Sequence, residues 1–202
     1  MQEAENGLKM KRLAVFCGSR TGSDGVFSSA ARELGDEMVG RGIDLVYGGG
    51  NVGLMGVLAD AVLEAGGSVT GVIPQALASK ELAHNRIQDL RIVASMHERK
   101  ALIADLSDGF MALPGGIGTL EEFFEVLTWG QLGFHPKPVA LLNVAGYYDG
   151  LLSFIDHAVA HGFVRHVHGK MVISGPSAAE LLDSMAAYRS PGIPKWLDRE
   201  EL

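Results

Sequence analysis

Short apolar runs that stop at a glycine-bearing turn and then pass into a segment of helical period recur along this chain, and that rhythm admits few folds. Arg12 to Cys17 runs into Gly18-Ser19-Arg20 and then into Phe27 to Arg41, where Ala30, Leu34 and Met38 fall at helical spacing. Asp44 to Tyr47 runs into Gly48 through Gly56 and a helix ending near Gly66-Gly67, and Ser68 to Ile73 is stopped by Pro74. Further strands are expected at Gly109 to Leu113, Val139 to Asn143 and Lys170 to Ser174, with helices at Ser95 to Leu106, Thr119 to Gln131, Tyr148 to His161 and Ser177 to Ala187. Strands that alternate with helices pair in parallel, because each crossover helix returns the chain to the same edge of the sheet. The expected fold class is therefore α/β, a Rossmann-like doubly wound parallel sheet with helices on both faces.

A chain of 202 residues is long enough to bury roughly 70% of its unfolded surface in one core. One domain over 12–189 is expected, with a flexible tail at 1–11 and an irregular tail at 190–202 holding Pro191, Pro194 and several charges. The formal charge of -7 disfavours a nucleic-acid or anionic-membrane surface, yet leaves room for a local pocket that holds one small phosphate. Cys17 is the single cysteine, so neither an internal disulfide nor a cysteine zinc site is expected, and a cytoplasmic address is the default. No apolar run approaches the length that spans a bilayer.

In an open parallel sheet, ligands bind beyond the carboxyl ends of the strands, where the strand order reverses. Three glycine-bearing turns converge on that edge: Gly18-Ser19, Gly48 to Gly56, and Pro114 to Thr119. In the third, Leu113-Pro114-Gly115-Gly116-Ile117-Gly118-Thr119-Leu120-Glu121-Glu122, a buried strand opens into a helix. Glycine lets the backbone approach a ligand closely, and the first amides of the helix point outward with the positive end of the dipole behind them. Such a turn attracts phosphate.

Thr119 and Glu122 admit two readings. T-x-x-E at a helix start is a capping box, with Thr119 as N-cap and Glu122 reaching back to its amide. The functional alternative starts from the observation that a phosphate site needs no carboxylate to bind an anion, so an acid there suits cationic chemistry nearby. On the helical wheel Leu120, Phe123, Phe124 and Leu127 share a stripe, Glu121 lies opposite, and Glu122 sits beside Val126 and Trp129. Glu122 is the expected partly buried carboxylate and Glu121 the solvated one. Arg99 also begins an apolar stripe with Leu102, Ile103 and Leu106. It is either an arginine snorkelling at the rim of the core or salt-bridged to Asp105 or a nearby acid, or a fixed donor facing a phosphate, a ribose or Glu122.

Several common sites are disfavoured. The first turn reads Cys-Gly-Ser-Arg-Thr-Gly rather than G-x-G-x-x-G, the second strand ends in Tyr47-Gly48 rather than an acid, and no P-loop lysine follows a glycine turn. His157 and His161 lack the glutamate of H-E-x-x-H, and His161, His166 and His168 are expected to make ordinary polar surface.

Met96-His97-x-Arg99-Lys100 followed by Pro114-Gly115-Gly116-x-Gly118-Thr119-x-x-Glu122 resembles the Lonely Guy family, the cytokinin riboside 5'-monophosphate phosphoribohydrolases. The likeness extends through Cys17-Gly18-Ser19, Tyr47-Gly48-Gly49-Gly50, Val72-Ile73-Pro74 and Thr128-Trp129-x-Gln131-Leu132-Gly133-x-His135-x-Lys137-Pro138-Val139. It implies hydrolysis of the N-glycosidic bond of an N6-substituted adenosine monophosphate to free base and ribose 5-phosphate, with no cofactor. Relatives have carried the label lysine decarboxylase, but nothing in the motif marks a Schiff-base lysine in a pyridoxal site. Carried over, Arg99 and Glu122 are the catalytic pair, while Ser19, Glu81, Met96, Lys100, Gly115, Gly116, Gly118, Thr119 and Glu121 belong to the substrate site. A homodimer is also implied, for which Trp129 to His135 is the expected contact. The rival class is a nucleotide-binding or molybdenum-cofactor-binding protein of related fold without hydrolytic activity.

Overall fold

The computed structural model of the chain describes residues 10–78 and 83–192. In chain order the elements are β1 (Arg12–Phe16), α1 (Gly25–Gly40), β2 (Asp44–Tyr47), α2 (Gly53–Glu64), β3 (Val69–Pro74), α3 (Gln75–Ala78), β4 (Asp89–Val93) and α4 (Met96–Leu106). They continue with β5 (Gly109–Ala112), α5 (Ile117–Gln131), β6 (Val139–Leu142), α6 (Asp149–Ala160), α7 (His166–Gly169), β7 (Val172–Gly175) and α8 (Ala178–Ala187). The seven described strands form one sheet in the order β4-β3-β2-β1-β5-β6-β7, and every pair is parallel. The α/β expectation holds. Strand order reverses between β1 and β5, so the loops after those two strands diverge to opposite sides and leave a crevice between them.

Side-chain alternation divides the core into two layers. Leu13, Val15, Leu45, Tyr47, Met111 and Leu113 face α1, α2 and α8, whereas Ala14, Phe16, Val46, Phe110 and Ala112 face the layer containing Ile103, Phe123, Val126 and Leu127 of α4 and α5. Because both faces of β1, β2 and β5 are covered, these strands are apolar after the leading Arg12 and Asp44 and read clearly in the sequence. β4 does not: it is an edge strand, Asp-Leu-Arg-Ile-Val, with mixed exposure and no glycine turn after it, and it carries no unbroken apolar run to mark it in the sequence. Its register against β3, Thr70 to Asp89 through Pro74 to Val93, extends the sheet beyond β3.

At the amino-terminal side Met10 is buried, and the amides of Lys11 and Arg12 both donate to the Asp108 carboxylate at 2.8 and 2.9 Å. One surface expectation needs correction. His161 and His166 are exposed, but His168 is only 2% exposed, because the short α7 turns its ring inward.

Candidate active site

The crevice at the β1/β5 reversal gathers the three glycine turns. Gly18 donates its amide to Pro114 O at 3.1 Å, and Leu54 donates to Gly18 O at 3.0 Å, so the turns after β1, β2 and β5 are stitched backbone to backbone. Gly53 takes a positive φ of 60°, and a Cβ there would overlap the Ser19 and Arg20 backbone. Two connected clefts result. One, of about 310 Å3, is lined by Cys17, Ser19, Met55, Met96, Arg99, Gly116 to Thr119, Glu121 and Glu122. Its neighbour, of about 330 Å3, shares Ser19 and Gly116 and is walled by Phe27, Leu54 and Tyr147.

α5 does not begin as the capping box requires. Its N-cap is Gly116, which makes no side-chain cap hydrogen bond, so Thr119 lies inside the first turn, 4% exposed, and Glu122 closes no capping box. Glu122 instead receives a hydrogen bond from Arg99, Nη1 to Oε1 at 2.7 Å, with side-chain exposures of 11% for the arginine and 12% for the acid. Glu121 is 50% exposed, the order that the helical wheel gives. The side-chain cap lies one helix earlier. Ser95 Oγ accepts from the Glu98 amide at 3.1 Å and Glu98 Oε2 accepts from the Ala94 amide at 2.8 Å, which fixes the first turn of α4 just before Arg99.

Arg99 is held on three sides. Its Nε donates to Val72 O at 3.1 Å, its Nη1 holds Glu122, and its Nη2 lies against Gly48 so closely that a Cβ there would overlap it. The pairing with Asp105 does not occur, because the stripe that begins at Arg99 points it across the strand ends rather than along α4. Burial raises the Glu122 carboxyl above the usual carboxylate range; Arg99 partly offsets this and Glu121 adds to it. Cys17 lies beneath the pair, and burial with the nearby Glu122 charge pushes its thiol far above the ordinary range, so it stays protonated.

Most of the expected site residues share the first cleft: Ser19, Met96, Arg99, Gly116, Gly118, Thr119, Glu121 and Glu122 all line it. Gly115 faces the neighbouring cleft. Lys100 is not among the residues lining either; its ammonium lies between Glu121 Oε1 at 2.6 Å and Glu125 Oε1 at 2.9 Å, tying α4 to α5 beside the Arg99 and Glu122 pair. Burial pulls that ammonium down, but the two carboxylates outweigh it and leave the lysine above its ordinary range, the opposite of what a Schiff-base amine requires. Glu81 lies outside the described residues. Tyr147 and Tyr148, which belong to neither sequence motif, hold the β5 turn through hydrogen bonds to Gly115 O and Leu113 O, each at 2.6 Å. Their signal was positional: they follow β6, whose carboxyl end lies on the same edge as the crevice.

Comparison with known proteins places this chain in a family. A family described as "Possible lysine decarboxylase" matches residues 55–185. A cytokinin riboside 5'-monophosphate phosphoribohydrolase of Arabidopsis thaliana is 53% identical over 180 residues, covering 89% of this chain and 84% of the plant protein. The protein of that name from Oryza sativa subsp. japonica is 50% identical over 184 residues, covering 91% and 76%. Among solved structures, the molybdenum cofactor binding protein of Rippkaea orientalis superposes with a TM-score of 0.65 at 23% identity, covering 86% of this chain and 95% of that one. The molybdenum cofactor carrier protein of Chlamydomonas reinhardtii gives 0.65 at 20%, covering 88% and 98%. At those identities the two structures share the fold alone. With half of its residues matched over most of both chains, and with Arg99 and Glu122 of the two motifs paired in one crevice, this chain belongs to the Lonely Guy family of cytokinin riboside 5'-monophosphate phosphoribohydrolases.

Proposed function

We propose that the protein hydrolyses the N-glycosidic bond of adenosine 5'-monophosphates, N6-substituted or plain, releasing the free base and ribose 5-phosphate without a cofactor. The observation that carries this reading is the buried Glu122 carboxylate, fixed by Arg99 on the same helix whose mouth presents free amides. From Ile117 to Glu122 the helix advances five residues, about 7–8 Å. That offset suits a sugar whose 5'-phosphate rests on the Gly116 to Thr119 amides while its anomeric carbon faces the acid. As the C1'–N bond breaks, its electron pair leaves with the base and the ribosyl ring becomes cationic. Glu122 lies opposite that charge, stabilises it and takes a proton from the water that adds to C1'. Arg99 keeps the carboxylate aimed, and binding energy gathered at the phosphate is spent on orienting the sugar.

Met96 and Met55 offer an apolar wall for the base, and Ser19 a hydroxyl near the phosphate. Lys100 and Glu121 contribute through the clamp between α4 and α5, with Glu121 also at the cleft rim. Homodimeric, cytoplasmic operation belongs to the same proposal. Phe134, 73% exposed within Trp129 to His135, supports a contact there, and gel filtration at a monomer's volume contradicts it. Among the described residues no helix is long and apolar enough to cross a membrane.

The test is incubation of the purified protein with AMP, isopentenyladenosine monophosphate and adenosine, followed by assay for free base. Release from the two monophosphates and poor release from adenosine is expected. No release, or equal efficiency with adenosine, contradicts the reading.

A further inference from the structure

Three successive carbonyls of the turn after β5 are each taken by a donor from another part of the chain. Leu113 O accepts from Tyr148 Oη at 2.6 Å, Pro114 O from the Gly18 amide at 3.1 Å, and Gly115 O from Tyr147 Oη at 2.6 Å. The next carbonyl, Gly116 O, enters α5 by accepting from Leu120 N at 3.1 Å. In a trans peptide the C=O of one residue and the N–H of the next point in opposite directions, and the described chain contains no cis bond. Whatever holds each carbonyl therefore aims the following amide.

The three bonds differ in what they aim. The amide after Leu113 belongs to Pro114 and carries no hydrogen, so the Tyr148 bond orients no donor. The peptide between Gly115 and Gly116 has glycine on both sides, and its flip, a rotation of one ψ and the following φ, is freer at glycine than at any other residue type. Gly115 and Tyr147 line the cleft walled by Phe27, whereas Gly116 borders that cleft and the one containing Glu122. With Gly115 O drawn toward Tyr147, trans geometry turns the Gly116 N–H the opposite way, away from the tyrosine.

We propose that Tyr147 is a positioning residue whose hydroxyl locks the Gly115–Gly116 peptide so that the Gly116 amide joins the helix mouth in holding the substrate's phosphate. The proposal rests on the phosphoribohydrolase reading and adds to it a residue outside both sequence motifs. The turn that delivers Tyr147 is built for placement. Ala145 takes a φ of 50° and Gly146 one of 73°, while Asn143 Oδ1 accepts from the Tyr148 amide at 2.7 Å and Asn143 Nδ2 donates to Asp149 at 2.7 Å. Edge-to-face contacts with Phe27 and Tyr148, at 5.8 and 5.0 Å, hold the ring itself.

Tyr147→Phe keeps both ring contacts and deletes only the lock. Its partner in the test is Tyr148→Phe, which deletes a hydrogen bond of the same length that aims nothing. Binding of ribose 5-phosphate is measured by calorimetry for the wild type and both variants, with KM and kcat for AMP and the melting temperature alongside. Tyr147→Phe is expected to weaken ribose 5-phosphate roughly tenfold, the scale of one charge-assisted hydrogen bond, and to raise KM in step while kcat stays within about twofold. Tyr148→Phe is expected to lower the melting temperature and leave ribose 5-phosphate affinity unchanged. Unchanged affinity in Tyr147→Phe, or equal loss in both variants, overturns the lock. Base release is scored separately. If neither the wild type nor either variant releases base yet Tyr147→Phe alone loses affinity, the lock stands and the hydrolase reading falls; if the wild type releases base and Tyr147→Phe binds as it does, the reverse holds.

Discussion

The α-carbon of Gly48 faces the Arg99 guanidinium so closely that any side chain at position 48 would occupy the place of Nη2, and a Cβ would also come within 3.1 Å of Cζ. A glycine on the second strand's turn is thus a condition for the arginine of α4 to reach an acid on α5. Gly48→Ala is expected to displace the guanidinium at the expense of its bond to Glu122, lowering kcat for AMP at least tenfold. A steady-state assay with a melting curve checks this, since a glycine needed only for the turn would lower stability and spare kcat.

Glu122→Gln preserves shape and an acceptor oxygen for Arg99 but removes the charge. Turnover is expected to fall by roughly a hundredfold or more, with KM for AMP little changed, because the lost interaction belongs to the transition state. Arg99→Ala is expected to lose comparable activity and, unlike the glutamine, to cost stability by leaving a buried carboxylate unpaired. Glu121→Gln, half exposed, is expected to be milder; if Glu121 proves the more sensitive, the two acids have been assigned in the wrong order.

The pH dependence follows from the raised Glu122 carboxyl. Its ionised form is the working one, so kcat/KM is expected to fall on the acid side with an apparent pKa above the ordinary glutamate value of about 4.3. The stability effect has the opposite sense. A carboxyl with a higher pKa folded than unfolded binds more protons in the native state, so its contribution is fully present below the unfolded pKa and is lost as pH rises through the folded one. Melting temperatures of Glu122→Gln minus wild type should therefore increase across that window; a flat difference would show that Arg99 fully compensates the burial.

Two glycines separate ligand space from fold space. A Cβ on Gly116 meets nothing within 4 Å, and its φ of -90° suits any residue, whereas Gly53 combines a φ of 60° with overlap on Ser19. Gly116→Ala is expected to keep the melting temperature and raise KM for AMP about tenfold, by the crowding of a hydrogen-bonded phosphate. Gly53→Ala is expected to lose stability first. Paired thermal and kinetic measurements distinguish the two.

Much of this organisation was legible in the sequence, for a physical reason. β1, β2 and β5 are covered on both faces, so their apolar runs are unbroken, and parallel pairing puts every following turn on one edge. β4 escaped because an edge strand keeps polar residues at Asp89 and Arg91. T-x-x-E at Thr119 suggested a cap that exists instead at Ser95 and Glu98, since local spacing does not reveal that the N-cap of α5 is Gly116, three residues before Thr119. The burial order of Glu121 and Glu122 followed from helical period, but the inward turn of His168 and the tyrosine contacts depend on packing between elements distant in sequence.

The most direct measurement is a crystal structure of Glu122→Gln with AMP. The expected result is a phosphate on the Gly116 to Thr119 amides and the anomeric carbon within about 4 Å, contact distance, of the residue 122 side chain. A bound nucleotide whose ribose lies elsewhere, or whose phosphate ignores the mouth of α5, would contradict the proposed chemistry at its root.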